Sequence, residues 1–396
     1  MKNTITKTKT KNKLIYIIKG AVAVLHIPLL LLLYIIEPFV KFRFGYISTD
    51  RIGHFALDLG YEIAKNKNKN KKEINLYFLQ DKTSNSQLKA IAKRELNVSQ
   101  WYKYLVYAYT LLGLEKKVNI PYRHKNGSRD KTGIMLNSHY DISLLPEENK
   151  ESELYMKKYG WTQGEKFICI NVRDSAFFNE SQVSRHTYRN SNIEDFEVVV
   201  NYLLNLGYWV VRIGKMVEKP INIKDNKLID YGIDQNRSDL LDVWFCKNCE
   251  FLVSTGTGVD SVAQMFKKKI VFVNFLPISY IVSWTENITV PKKLFWDKSG
   301  KELSLTECLD YDKGVHRYKE KGINVVGLSP GEIKSVVQEM IMRLDGTPLT
   351  SQQIQNQKKF WDVMESHDSY RKYHGVRDPH VLFGNSFIES HPNFLS

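Results

Sequence analysis

The pattern of apolar and polar positions divides the chain into three regimes. The first is one apolar stretch over residues 14–40, which carries no formal charge from Gly20 to Ile36 and runs LLLLLYII after Pro28. A bilayer span takes about 20 apolar residues, and Lys19, His26 and Pro28 interrupt this one. Glu37, Pro38 and Phe39 follow it in place of a small-residue cleavage site, so it does not read as a cleaved signal. Lysines crowd its N-terminal side, while Lys41, Arg43 and Arg51 follow. Basic flanks on both sides disfavour crossing, because one would have to be translocated. Two short helices hinged at Pro28 and dipping into one leaflet are expected, with a single span as the alternative and a buried helix as a third reading.

The second regime starts at Phe44. FGYIS and INLYFLQ read as strands, and FALDLGYEIAK between them as an amphipathic helix. Residues 86–114 are helical in pattern, with Leu88, Ile91, Ala92 and Leu96 at helical spacing. GIMLN reads as a late strand and PEENKESELYMKKYGW as a polar connector and helix. The third regime opens at Phe167. FICINV, YWVVRI, KLIDYG, EFLVST and KIVFVNF are short apolar runs separated by helical patterns, among them residues 193–206 (stopped by Gly207), SDLLDVWFCKN (capped by Ser238) and VDSVAQMF. Continuous apolar strands alternating with helices predict parallel βαβ units. SPGE at Ser329 starts a helical tail that ends in an ordered, aromatic segment. The expected organisation is a membrane-associated segment 1–43, an α/β domain 44–155, a second α/β domain 156–330 and a C-terminal tail 331–396 packing back on them.

Composition narrows the partners. The 396 residues hold 57 Lys+Arg against 43 Asp+Glu, a formal net charge of +14, with 43% hydrophobic residues. Five lysines between Lys2 and Lys13 and five more between Lys65 and Lys72 supply most of the excess. These runs lack arginine and aromatic residues, so they do not describe a nucleic-acid face. The run beside the apolar stretch fits anionic lipid headgroups; the second reads as a solvated loop, with contact to lipid headgroups as the alternative. Four cysteines are too few for a disulfide scaffold and read as reduced thiols.

The chemistry concentrates in the third regime. After EFLV come Ser254, Thr255, Gly256, Thr257 and Gly258, and a helix opens with Asp260 and Ser261. Glycines let a ligand approach the backbone, and hydroxyls and amides suit phosphate. Neither a Walker A loop nor GxGxxG is present. Arg173, Arg189, Arg212 and Lys215 follow strands of the same series, where the loops of a parallel sheet hold ligands. In the second regime His54 opens a helix at the expected cleft edge and is the candidate general base, with His139 as its rival. The pair Cys246 and Cys249 has no companion pair, and Asp310-Tyr311-Asp312 reads as a loop, so no metal site is expected.

KFICINVRDSAFF, HTYRN, YWVVRIGK, FLVSTGTGVDSVAQMF and NSFIESHPNFL together resemble a family of bacterial surface-polysaccharide glycosyltransferases of GT-B type. The STGTG segment is also similar to the donor loop of heptosyltransferases. The resemblance implies two Rossmann-like domains facing a cleft, and transfer of a sugar from a nucleotide-sugar donor to a lipid-linked glycan or polysaccharide acceptor. It implies no cofactor beyond the donor and no bound metal, with positive side chains steadying the leaving diphosphate. Thr255, Gly256, Thr257, Gly258 and Ser261 would hold the diphosphate, Asp260 would touch the donor, and Arg173, Arg189 and Lys215 would offset its charge. The matching location is the cytoplasmic face of the inner membrane. A pyruvyl or phosphosugar transferase on the same fold, and a non-enzymatic membrane-bound glycan-binding protein, are the alternatives.

Overall fold

The structure is a computed structural model that describes residues 20–21, 24–68, 72–114, 118–120, 127–177, 187–312 and 317–396. The N-terminal lysine run, residues 14–19, residues 69–71 of the second lysine run and His186 lie outside the described residues. The chain forms two compact units, Met1–Ser128 with Ser138–Tyr140, and Arg129–Asn137 with Asp141–Ser396.

The first unit holds a three-stranded parallel sheet, β1 (Lys41–Ile47), β2 (Glu73–Leu79) and β3 (Asn97–Val98), in that spatial order. β1 and β2 pair along all seven residues, from Lys41 with Glu73 to Ile47 with Leu79. Before β1 comes helix α1 (Ile27–Ile36), with Pro28 in its first turn, where a missing amide costs nothing. Residues 24–25 are also helical, and the break falls at His26 rather than at the expected hinge, Pro28. Among the described residues no helix is long and apolar enough to cross a membrane. Helix α2 (Ile52–Lys67) links β1 to β2 and buries Phe55, Ala56, Leu59 and Ile63.

The single helix expected over 86–114 is two, α3 (Ser86–Glu95) and α4 (Tyr102–Leu111). Leu96 turns extended, and β3 then pairs with Leu76 and Tyr77. Sheet hydrogen bonding overrides the local helical pattern at this point.

The second unit is built on a seven-stranded, wholly parallel sheet in the order β12-β9-β8-β7-β4-β5-β6. Its strands are β4 (Phe167–Asn171), β5 (Trp209–Arg212), β6 (Leu228–Ile229), β7 (Phe251–Ser254), β8 (Lys269–Phe272), β9 (Asn287–Thr289) and β12 (Val381–Phe383). Two further strands, β10 (Lys293–Trp296) and β11 (Ile323–Val326), make a separate antiparallel pair. From β6 to β9 the main sheet follows the doubly wound 3-2-1-4-5-6 order, whose direction of winding reverses between β4 and β7. β4, β5 and β7 are buried along their whole length. That accounts for their continuous apolar reading, since strands covered on both faces have no polar side.

Helix α5 (Pro146–Lys157) belongs to this unit, where Tyr155 packs edge-on against Tyr231 and Phe245. The division between units therefore falls ahead of it, earlier than residue 155. Helices α6 (Glu197–Asn205), α7 (Asp239–Asn248), α8 (Asp260–Met265), α9 (Pro330–Leu344), α10 (Ser351–Ser366) and α11 (Asn385–Ser390) belong to the unit as well. One core joins Ile168, Ile170, Val210, Val253 and Ile288 of the sheet to Val199 and Leu203 of α6, Val336 and Met340 of α9, and Phe360 of α10. Ser238 caps α7 by accepting from the Leu241 amide, and Ser329 with Glu332 closes a capping box on α9.

Two local readings change. GIMLN is not a strand: Ile134–Asn137 forms one helical turn, because the Asp130 carboxylate accepts from the amides of Ile134, Met135 and Leu136 at 2.9, 2.7 and 3.1 Å. Asp310 and Tyr311 belong to a helix, Leu305–Tyr311, and Asp312 is its C-cap rather than part of a loop. Ser304 and Glu307 nucleate that helix with a capping box.

Candidate functional site

The loops after β4 and β7 meet where the winding of the sheet reverses, the position at which open parallel sheets bind ligands. They are tied together residue by residue. The Thr255 amide donates to the Asn171 carbonyl (3.2 Å), the Arg173 amide to Thr255 Oγ1 (2.9 Å), and Asn171 Nδ2 to Thr257 Oγ1 (2.5 Å). The Ser191 amide donates to the Arg173 carbonyl at 2.8 Å, which brings in the segment that carries Arg189.

Inside the second loop Asp260 is the organiser. It is buried, its Oδ1 accepts from Ser254 Oγ (2.5 Å) and Thr257 Oγ1 (3.2 Å), and its Oδ2 accepts from the Thr257 amide (2.5 Å). Burial raises its pKa to about 6, against the hydrogen bonds from Ser254 and Thr257 and the charge of Arg189, all of which favour the carboxylate. Asp260 is therefore turned back into the loop rather than outward to a donor. The hydroxyls of Ser254, Thr255 and Thr257 likewise make the loop's own framework. Ser261 is buried in α8, and Gly258 is exposed at the crest.

What faces the loop is positive charge. The Arg189 guanidinium donates to the Gly256 carbonyl. Arg173 is pushed down to about 10, first by burial and then by the nearby Arg189 charge. Two guanidiniums close enough to repel each other at the strand ends would be relieved by an anion between them.

Gly256 takes φ +79°, a left-handed conformation, and an added Cβ would lie 3.0 and 3.2 Å from Phe275 ring atoms and 3.7 Å from Arg189 Nη2. Only glycine fills this corner without strain.

The other candidates are placed differently. Arg212 ends β5 but is fully buried. Its Nη1 reaches the Lys219 carbonyl at 2.5 Å and Asp230 at 3.4 Å, and its Nη2 lies 3.8 Å from Asp174. It is a structural cation inside the fold, as a buried charge requires paired acids, and does not present its charge to a ligand. Lys215 is exposed in the turn after β5, and its carbonyl accepts from Arg237. His54 lies in the first turn of α2 in the first unit, with Nδ1 3.0 Å from Ser128 Oγ. His139 is exposed. Cys246 and Cys249 are buried thiols, and no group of three His, Cys, Asp or Glu side chains gathers among the described residues.

One cation was missed in the sequence. Lys292 stands just past the end of β9 and is nearly buried, with Nζ donating to the carbonyl of Asn190, the neighbour of Arg189. Burial lowers its pKa to about 8, with partial relief from Asp195. The Lys292-Lys293 pair after Val290-Pro291 carries no motif, and only the alignment of strand ends brings Lys292 here.

Its titration gives opposite signs for stability and binding. Between about pH 8 and the ordinary lysine range the unfolded chain holds the proton that the folded chain has released, so stability rises with pH there. Anion binding loses a charge over the same window. Affinity for a diphosphate, measured by calorimetry, is expected to weaken above about pH 8 in the native protein. In Lys292→Met that limb is expected to be absent, and an unchanged limb would remove Lys292 from the site.

No family model and no curated protein sequence matches the chain. Among solved structures it is similar to the glycosyl transferase family 9 protein from Veillonella parvula, at 13% identity over 64% of this chain and 87% of that one, with a TM-score of 0.40. It is also similar to the E. coli ADP-heptose LPS heptosyltransferase II, at 10% identity over 70% and 98% with a TM-score of 0.35. The S. aureus MnaA–UDP co-structure is matched at 9% identity over 85% and 93%, with a TM-score of 0.33. These likenesses are distant, and the reading of the site rests on its own geometry.

Proposed function

We propose that the protein is a glycosyltransferase that binds a nucleotide-sugar donor through its diphosphate at the ends of β4 and β7. The observation that carries this reading is Arg189 tied to the Gly256 carbonyl where the sheet reverses, with Arg173 near enough to feel its charge. In the reaction the bond between the anomeric carbon and the diphosphate oxygen breaks while an acceptor hydroxyl oxygen bonds that carbon. Negative charge grows on the departing diphosphate, and guanidiniums already fixed beside it lower the barrier without reorganising. Lys292 adds charge behind the Arg189 segment, and the exposed Lys215 after β5 is proposed as a further cation. If the reaction inverts, His54 is the proposed base that takes the hydroxyl proton, its ring held by Ser128. The charge of the diphosphate is assigned to these side chains and not to a bound metal. The acceptor is proposed to be a lipid-linked glycan or surface polysaccharide at the cytoplasmic face of the inner membrane, in keeping with the apolar, lysine-flanked N-terminal stretch.

The test is thermal denaturation of the purified protein with UDP, GDP, ADP, CMP, their sugar conjugates, sugar phosphates and inorganic phosphate. A ligand at about 100 times its Kd adds about 2.7 kcal/mol to stability. For a unit of this size that is a rise of roughly 5 °C or more. Protection by one nucleotide and its sugar conjugate is the expected result. Protection by phosphosugars with none by nucleotides would transfer the site to a phosphosugar transferase, and no protection at all would overturn the reading.

A further inference from the structure

The first unit carries an apolar surface that the sequence pattern showed only in part. α1 has no charged residue and buries only Leu30; Leu25 just ahead of it is 78% exposed, Ile35 is 69% exposed and Phe39 just beyond it is 74% exposed. A helix apolar all round is ordinarily covered on every side. α4 lies beside it in the same direction. His26 sits 5.0 Å from the ring of Trp101 and 6.0 Å from that of Tyr104 at one end, and Leu33 and Tyr34 share a narrow gap with Tyr109 and Leu114 at the other. Leu30 packs into one cluster with Leu105 and Ala108 of α4. α4 in turn exposes Trp101 at its start and Leu111 at its end, with Lys103 as its one charged residue.

Ten helical residues span about 15 Å, half of the roughly 30 Å hydrocarbon layer, so neither helix crosses it alone. Lys41 and Arg43 follow α1, and the run from Lys2 to Lys13 precedes it in sequence. Cations beside an apolar, tyrosine- and tryptophan-rimmed surface complement an anionic leaflet, where each lysine near the surface adds about 1 kcal/mol.

We infer that α1 and α4 together form one bilayer-docking face that lies in the plane of a leaflet containing anionic lipid. The anchor is therefore bipartite. Its second half, α4, belongs to the folded unit and lies outside the N-terminal stretch. The inference does not depend on the donor reaction.

The test is flotation of the full-length protein with vesicles of phosphatidylcholine, alone or with about one-third phosphatidylglycerol. The native protein is expected to float with the mixed vesicles and to be released by salt. Leu111→Glu with Leu112→Glu, both exposed positions, leaves residues 1–43 intact and is expected to weaken partitioning about tenfold or more, with an unchanged melting curve. Unweakened flotation of that variant would overturn the inference and leave the N-terminal stretch as the sole anchor. Should the charged variant melt early, fluorescence of the native protein decides. Quenching by brominated lipid that disappears in Trp101→Phe supports the inference, and its absence overturns it. A failure to float, together with a dimer that the charged variant dissociates, would assign the face to a second copy of the chain.

Discussion

Arg189→Ala is expected to lower kcat/KM for the nucleotide-sugar donor by about 10²–10³, the effect of removing one fixed donor to developing negative charge. Its melting temperature should move by no more than about 3 °C. The small second number follows from two opposed consequences of the same deletion. Arg173 is relieved of the neighbouring charge that depresses its pKa, which favours the fold. Asp260 loses the guanidinium that helps to keep it ionised against its burial, which disfavours it. Arg189→Lys keeps a point charge but not the planar fork and should recover only part of the activity. Steady-state kinetics and a melting curve on the same preparations check the prediction. A loss of activity that simply tracks a loss of stability would reduce Arg189 to a structural tie on the Gly256 carbonyl.

Gly256→Val should damage both the loop and donor binding. A left-handed backbone costs a residue with a Cβ about 1–2 kcal/mol. Crowding against a packed neighbour adds about 1–3 kcal/mol, and the added Cβ meets the Phe275 ring at 3.0 Å. A fall in melting temperature of roughly 5–12 °C is expected from the sum, with no protection by the nucleotide that stabilises the native protein. Gly256→Ala should be intermediate, and adding Phe275→Leu should return part of its stability by vacating the space the ring occupies. If Gly256→Val melts like the native protein and still binds, the close approach of the backbone has no role in the site.

The second unit was legible because its strands are buried on both faces. FICIN, WVVR and FLVS stand out as apolar runs for the reason that makes them central strands. The site loop was legible too, as a glycine-bearing turn after such a strand. The roles within it were not. Ser254, Thr255 and Thr257 carry hydroxyls that suit phosphate and Asp260 reads as a donor contact, yet they bond to one another and to Arg173, a choice set by loop geometry. Arg212 reads as a strand-end cation like Arg173. It is withdrawn by Asp230 and Asp174, which approach from other segments of the chain. The chain before residue 141 misled where a local pattern met a tertiary demand. β3 interrupts a helical spacing, and Asp130 bends an apolar run into a helical turn.

The edge strand β12 has a consequence for biosynthesis. It pairs with β9 through Val381, Leu382 and Phe383, facing Asn287, Ile288 and Thr289. The ribosome makes β9 about 90 residues before β12, and at about 5–20 residues per second the edge of β9 waits roughly 5–20 s for its partner. During that interval a nascent sheet presents unpaired backbone groups to other chains in the polysome. Slow translation across residues 290–380 should therefore lower the yield of soluble protein more than equal slowing upstream of β9.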